Sequence, residues 1–477
     1  MTKTEITMNK NIDESFYKQI FNSIKLEIAS GHFPPGKKLP SLRHTALKFN
    51  ISIQTALQAY NLLEETGYIE KIPGKGSFVK EHNNFSMNQG LSSIIDNFRY
   101  GQGGKHEFID FFNGTPSSEN FPSELYKQLA CEVIDQFGGE IFEYQNVQGL
   151  LSLRKLLSEE LEKDDIFVTE KDILITSGTQ QALEIIIRAF SSERKPVVAL
   201  SAPTYLNALN LFRDSCKVIS VDLKHEGWDM DEFRALLQKE KIDFVYEVIN
   251  FQNPTGVLWS LERRKELLRL AQKYDFYIIE DDSFREFYYT EDKPFPLKSL
   301  DRMGDERVIY LRTYSKSIMP GISTALMLPP PNFMEKILLT KYSLDTTTSG
   351  LNQKILEKFL EKGYFQKHTE NLRKVFREKC FLMVELLKEI PEIEILNYPQ
   401  GGFFIWIKLN ENIPEDIFYK KCREKGVSLL PGKIFYPQLP DSGRIRLSFV
   451  GSSSENIKKG IQIITETLHS LLLSDSH

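Results

Sequence analysis

Apolar side chains recur along this chain with two different periods. In DESFYKQIFNSIKLEIAS, residues 13–30, Phe16, Ile20, Ile24 and Ile28 fall at helical intervals, and Gly31 closes the stretch. The breaker-rich FPPGKKLPS comes next. Then LRHTALKFN reads as a short helix capped by Ser41, and IQTALQAYNLLEETG as a longer one capped by Ser52 and ended by Gly67. YIEKIPGKGSFVKE predicts two short strands around Pro73-Gly74-Lys75-Gly76. Residues 81–107 are polar and Gly/Asn-rich, the composition of a linker. From residue 108 strand-like runs appear: DILIT, PVVALS, KVISVD, DFVYEVI, FYIIED, RVIYL and ALMLP. Helix-length segments separate several of them, which predicts a mostly parallel sheet with helices on both faces. Near 350–390 the pattern predicts one long helix, then strands EIEIL, GFFIWIKL and RIRLSFV. The reading is thus a module at 13–80, a linker at 81–107 and an α/β body at 108–477. The body divides into a large part, 108–345, and a smaller α+β part, 346–477.

Charge sharpens this division. The 477 residues carry a formal net charge of −5, yet residues 15–80 hold nine Lys/Arg against four Glu. A globally basic nucleic-acid coat is excluded, while a basic module ahead of an acidic body is indicated. Cys131, Cys216, Cys380 and Cys422 are far apart with no CxxC pair, so neither a disulfide framework nor a metal site is expected. The first residues hold no apolar signal core, and no apolar run reaches the ~20 residues that span a bilayer. The expectation is a cytoplasmic protein with no membrane partner.

Three helices and a Gly-tipped hairpin make a winged helix-turn-helix. Its third helix fits the major groove, which puts Ser52, Ile53, Gln54 and Thr55 at base edges. Lys37, Lys38, Arg43, Lys71 and Lys75 are candidate phosphate contacts. The alternative is a winged helix used only for protein contacts, since a single surface Lys is ordinary. The segment FPPGKKLPSLRHTALKFNISIQTALQAYNLLEETGYIEKIPGKGSFV resembles the GntR-type regulators through its LPSLR run, S-x-x-T helix start, AYxxLxxxGYI run and GKGSFV wing. Family members often carry Arg where Ile53 stands, so the resemblance implies operator DNA as partner with an altered contact.

Four clusters mark the body. A strand runs through Ser177, Gly178, Thr179 and Gln180 into a helix, a natural phosphate cradle or simply a capped helix. Asn253-Pro254-Thr255-Gly256 forms a turn after a strand. Asp281 ends the strand FYIIED, where a carboxylate faces a ligand crevice. RTYSKS follows the strand VIYL and places Thr313, Ser315 and Lys316 together, beside Arg312. A lysine, an aspartate and a phosphate nest are the parts that pyridoxal 5′-phosphate needs: a Schiff-base amine, a partner for the ring nitrogen and an anion site.

Residues 110–470 resemble the fold-type I aminotransferases. The resemblance implies that Tyr144 reaches the phosphate in a partner subunit and that Tyr205 stacks on the ring. It further implies that Asn253 holds the ring hydroxyl and that Arg446 binds a substrate carboxylate, a bidentate task suited to guanidinium. Module order as a whole resembles the MocR subfamily of GntR-type regulators. That implies pyridoxal phosphate or an amino compound as the signal, and a head-to-tail, domain-swapped homodimer. Ser283, Ser323 and Arg312 stand where the family has Tyr, Arg and Gly. Arg312, beside the cradle, is expected to replace part of the missing charge. Two other readings stay open: an active aminotransferase carrying a DNA-binding domain, and a regulator whose body only dimerises.

Overall fold

The structure, a computed structural model, describes residues 16–29, 33–34, 36–49, 51–65, 68–72, 75–79, 108–191, 194–301, 306–413, 415–437 and 443–474. The expected linker 81–107, and the punctuating Gly31, Gly67, Pro73 and Gly74, lie outside them. The chain divides into two compact units at residues 107 and 108.

In the first unit α1 (Phe16–Ala29), α2 (Leu42–Phe49) and α3 (Ile53–Glu65) precede β1 (Ile69–Ile72) and β2 (Gly76–Val79). The helical spacing buries Ile20, Ile24 and Ile28 against Leu39, Tyr60, Leu63 and Val79. Both capping expectations hold: Ser41 Oγ accepts from the His44 N–H at 3.3 Å and Ser52 Oγ from the Thr55 N–H at 3.0 Å. Tyr60 ties the helices together, donating to Pro40 O at 2.7 Å and meeting the Thr45 hydroxyl at 2.9 Å. The strands pair antiparallel with Ile69 opposite Val79.

In the second unit the strands are β3 (Ile109–Asp110), β4 (Leu174–Thr176), β5 (Val197–Ala202), β6 (Lys217–Lys224), β7 (Gly227–Trp228), β8 (Phe244–Glu247), β9 (Tyr277–Asp281), β10 (Val308–Thr313) and β11 (Ala325–Leu328). They continue with β12 (Ile393–Asn397), β13 (Phe404–Leu409), β14 (Val427–Ser428), β15 (Leu430–Pro431) and β16 (Arg444–Ser448). The helices are α4 (Ser123–Phe137), α5 (Leu151–Glu162), α6 (Thr179–Phe190), α7 (Leu206–Ser215), α8 (Met230–Leu237) and α9 (Leu261–Tyr274), then α10 (Met334–Leu344), α11 (Gly350–Glu361), α12 (Tyr364–Lys388), α13 (Glu415–Glu424) and α14 (Ser454–Ser474).

The large sheet has the order β4-β11-β10-β9-β8-β5-β6-β7. Its centre, β10 to β6, is parallel, while β4, β11 and β7 run antiparallel to their neighbours. The sheet is therefore mixed at both ends. Residues 314–324 between β10 and β11 are too few for the helical crossover that a parallel neighbour needs. Alternate side chains feed two cores: Val198, Leu200, Tyr246, Ile279 and Leu311 on one face, Ala199, Val245, Ile278 and Tyr310 on the other. Burial on both faces explains why these strands read as continuous apolar runs.

The smaller sheet is β12-β13-β16-β15. Two expectations change here. The single helix near 350–390 is two, α11 and α12, broken at Gly363 with φ +70°. And the chain just past residue 108 joins the C-terminal part, because β3 pairs with β14 and Phe111 O accepts from the Ser448 N–H at 2.9 Å.

Candidate cofactor site and nucleic-acid interface

The first turn of α3 carries Ser52, Ile53 and Gln54 exposed, with Ile53 at 52%. Thr55 is half-buried and its hydroxyl meets Ser52 Oγ at 2.8 Å, so it completes the cap rather than facing outward. Lys37, Lys38, Arg43 and Lys75 are exposed. Lys71 differs: its ammonium lies 2.7 Å from Glu64 and donates to Asn61 at 2.5 Å. An ion pair that neutralises it makes Lys71 the weakest of the phosphate candidates.

In the body, the end of β4 turns through Gly178, whose φ of +143° suits glycine and whose missing side chain leaves open space. Thr176 Oγ1 donates to Gly178 O at 3.2 Å and Gln181 Oε1 accepts from the Ser177 N–H at 2.8 Å, which fixes the turn. The Thr179 hydroxyl is buried without a hydrogen-bond partner at the start of α6. Gln180 is exposed and donates to Asn207 O at 3.2 Å. An orphaned hydroxyl beside the free N–H groups of a helix start is chemistry that suits an anion.

Asp281 ends β9, buried. Tyr246 on the adjacent β8 donates to Asp281 Oδ2 at 3.1 Å, and the Ser283 hydroxyl donates to Oδ1. Burial pushes the Asp281 carboxyl up to about 6, against those hydroxyls and Lys316. Lys316 Nζ donates to Gly114 O at 2.8 Å. Burial, with the positive Arg446 nearby, lowers the Lys316 amine to about 8 despite Asp281. Arg446 lies on β16, buried, with Nη1 donating to Asn253 Oδ1 at 3.1 Å and Nη2 to Phe112 O. Its guanidinium lies 4.3 Å from the Phe404 ring centroid and 5.2 Å from that of Phe435. Tyr205 starts α7, half-buried, its hydroxyl accepting from Asn207 at 3.0 Å. Burial and the charge of Asp281 push that phenol up to about 12. Thr313 is buried at the end of β10 and accepts from the Ser315 N–H at 3.2 Å.

Lys316, Asp281, Asn253, Arg446 and Tyr205 are thus brought together from distant parts of the chain. Tyr144 is not among them: it is 84% exposed and takes no part in the buried cluster of its own chain. Arg312 is a correction. Its guanidinium is buried and committed to Glu286 at 2.9 Å and Asp164 at 3.6 Å, not offered to a phosphate. Alternation along β10 explains this: Tyr310 and Arg312 share one face, where Tyr310 donates to Asp282 at 2.7 Å and Arg285 bridges Asp282 and Asp164. Ser323 is exposed with φ +40° and brings no charge.

Sequence reasoning missed Tyr246 and the carbonyls of Phe112 and Gly114. A phenol beside Glu247 in a short buried strand was the available signal for Tyr246; backbone carbonyls leave none. The assembled groups fit pyridoxal phosphate: an open cradle with an orphaned hydroxyl for the phosphate, a buried amine of lowered basicity, and a carboxylate held by two hydroxyls.

Among the described residues no helix is long and apolar enough to cross a membrane, and no group of side chains is arranged to hold a metal ion. Residues 117–464 match aminotransferase class I and II, and residues 16–79 match the bacterial regulatory proteins of the gntR family. An aromatic-amino-acid aminotransferase of Thermococcus litoralis is 34% identical, over 76% of this chain and 88% of that protein. An uncharacterized HTH-type transcriptional regulator of Bacillus subtilis is 31% identical over 93% of this chain and 94% of its own length, so it shares both modules. The solved structure of α-aminoadipate aminotransferase from Thermus thermophilus, complexed with N-(5′-phosphopyridoxyl)-L-leucine, is similar with a TM-score of 0.73, 30% identity and coverage of 81% of this chain and 97% of that one. With a GntR-type winged helix ahead of an aminotransferase body, the chain belongs to the class I and II aminotransferase family and, within it, to the MocR-type regulators: it is a pyridoxal phosphate-dependent, DNA-binding transcription regulator.

Proposed function

We propose that the body takes pyridoxal phosphate through Lys316 and then reads an amino compound whose carboxylate Arg446 grips. The convergence of Lys316, Asp281, Asn253 and Arg446 carries this reading. When bound, the cofactor supplies an aldehyde that links to amines and a ring that withdraws electrons from them. Asp281 would hold the ring nitrogen, Asn253 the ring hydroxyl and Tyr205 the ring face. Gly178, Thr179, Gln180, Thr313 and Ser315 would hold the phosphate. An amine lowered to about 8 is neutral in about one molecule in ten at pH 7, some hundreds of times more often than an ordinary lysine. Ser52, Ile53 and Gln54 would face base edges, with Lys37, Lys38, Arg43 and Lys75 on phosphates.

The functional form in this reading is a head-to-tail, domain-swapped homodimer in which Tyr144 serves the partner's phosphate. Exposed Phe142, Tyr144 and Leu151, close in sequence, support a surface that a second copy covers.

Adding pyridoxal phosphate is expected to turn the protein yellow, and Lys316→Ala to stay colourless. Equal colour in both overturns the reading. A working transaminase is the second reading, favoured by the intact set of Tyr205, Asn253, Asp281, Lys316 and Arg446. Steady release of a keto acid from an amino donor would select it.

A further inference from the structure

The two cations of the site share one backbone segment. Lys316 Nζ donates to Gly114 O at 2.8 Å, and Arg446 Nη2 donates to Phe112 O. Asp110 shapes that segment. Its Oδ1 accepts the N–H groups of Phe112 at 2.9 Å and Asn113 at 3.0 Å, and its Oδ2 accepts from Asn113 Nδ2 at 2.6 Å. This Asx turn takes over from strand pairing after Phe111 and presents both carbonyls to the site.

Both bonds compete with the ligands of the site. A Lys316 amine engaged by the cofactor is redirected from Gly114. Arg446 Nη2 belongs to each edge on which two parallel N–H groups can grip a carboxylate, so the bond to Phe112 opposes that grip. The Arg446 Nε, buried without a partner, marks an edge ready for such a ligand.

We infer that Asp110 is a positioning residue and that Phe112–Gly114 is a latch, held by Lys316 and Arg446 and freed when cofactor and amino compound take those cations. Residue 108 opens the body, and the chain runs back from it through residues 81–107 to the winged helix. Freeing the latch therefore acts at the root of that connection. The identity of the freeing ligands rests on the function proposed above; the latch itself rests on the five contacts just named.

Amide hydrogen exchange on the full chain tests it, read on peptides spanning 108–116. Pyridoxal phosphate and N-(5′-phosphopyridoxyl)-L-leucine serve as probes. Each probe is expected to speed exchange at Phe112 and Asn113 about tenfold, the cofactor by engaging Lys316 and the conjugate, which has no aldehyde, by setting its carboxylate on Arg446. Unchanged exchange while absorbance shows the probe bound overturns the latch. Without any ligand, Lys316→Met and Arg446→Met are each expected to speed the same amides. Slow exchange in both overturns the latch even where neither probe binds, so its failure and that of the cofactor reading are told apart.

Asp110→Ala separates positioning from plain stability. The Gly114 carbonyl favours the ammonium form of Lys316, and the charged groups facing that amine, Asp281 and Arg446, are left in place. The pH midpoint for cofactor loading is expected to fall by about half a pH unit in Asp110→Ala. Asp110→Asn keeps an oxygen for the two N–H groups and is expected to restore it. A lowered melting temperature with an unmoved midpoint in Asp110→Ala overturns the positioning role.

Discussion

Tyr246 donates its phenolic hydrogen to Asp281 Oδ2 at 3.1 Å across the β8–β9 step, inside a core where both side chains are buried. With Ser283 on the other oxygen, two hydroxyls hold the ionised carboxylate that burial disfavours. Tyr246→Phe removes one of them and leaves the ring in place. Cofactor affinity is expected to drop about tenfold, the value of one hydrogen bond to a charged group. Spectral titration with pyridoxal phosphate measures it; an unaltered dissociation constant would refute the role.

Loading should depend on pH through Lys316. The reactive form is the neutral amine, and the amine is lowered to about 8, so the loading rate is expected to climb up to about pH 8 and then level off. Arg446→Met removes the positive neighbour and should move this curve to higher pH. A flat profile between about pH 6 and 9 would contradict the assignment.

Arg312 and Arg285 are expected to matter for folding rather than for the cofactor. Arg285 bridges Asp164 at 2.5 Å and Asp282 at 2.6 Å. Burial works against charge on Asp164, but Arg285, Arg312 and Lys293 outweigh it and hold its carboxyl below the usual range. A depressed acid contributes stability above its unfolded value and loses it as pH falls, so unfolding at acid pH should begin here. Arg312→Ala leaves Lys293 as the direct ion-pair partner of Glu286 and is expected to cost about 3 kcal/mol in denaturant titration. Loss of cofactor affinity at unchanged stability would reverse this view.

Binding of operator-like duplex should weaken with salt. Arg43→Ala is expected to lower the slope of log affinity against log salt by about one, the signature of one lost phosphate contact. Lys71→Ala should change it less, because Glu64 already neutralises that ammonium. Equal slopes for the two variants would place Lys71 on the DNA after all.

Local patterning carried much of this architecture in plain view. The isoleucine spacing of α1, the capping serines of α2 and α3, and the apolar runs of the large sheet each record a short-range rule, and each names its element. Asp281 was legible because it ends a strand and Lys316 because its loop follows one, whereas Asn253 and Arg446 were marked only by the resemblance to aminotransferases. Arg312 was misread because proximity in sequence says nothing about which face of β10 a side chain takes. Tyr246, Phe112 and Gly114 stayed hidden for a related reason: their partners lie 35 to 334 residues away. The break at Gly363 was visible as a glycine, but only packing decides that α11 and α12 part there.

The pairing of Ile109–Asp110 with Val427–Ser428 sets an order on biosynthesis. Contacts this distant cannot form until most of the polypeptide has left the ribosome, whereas every strand and helix of the winged module closes on near neighbours. A nascent chain stalled before Val427 would present a finished DNA-reading head on a body whose opening strand still waits for its mate.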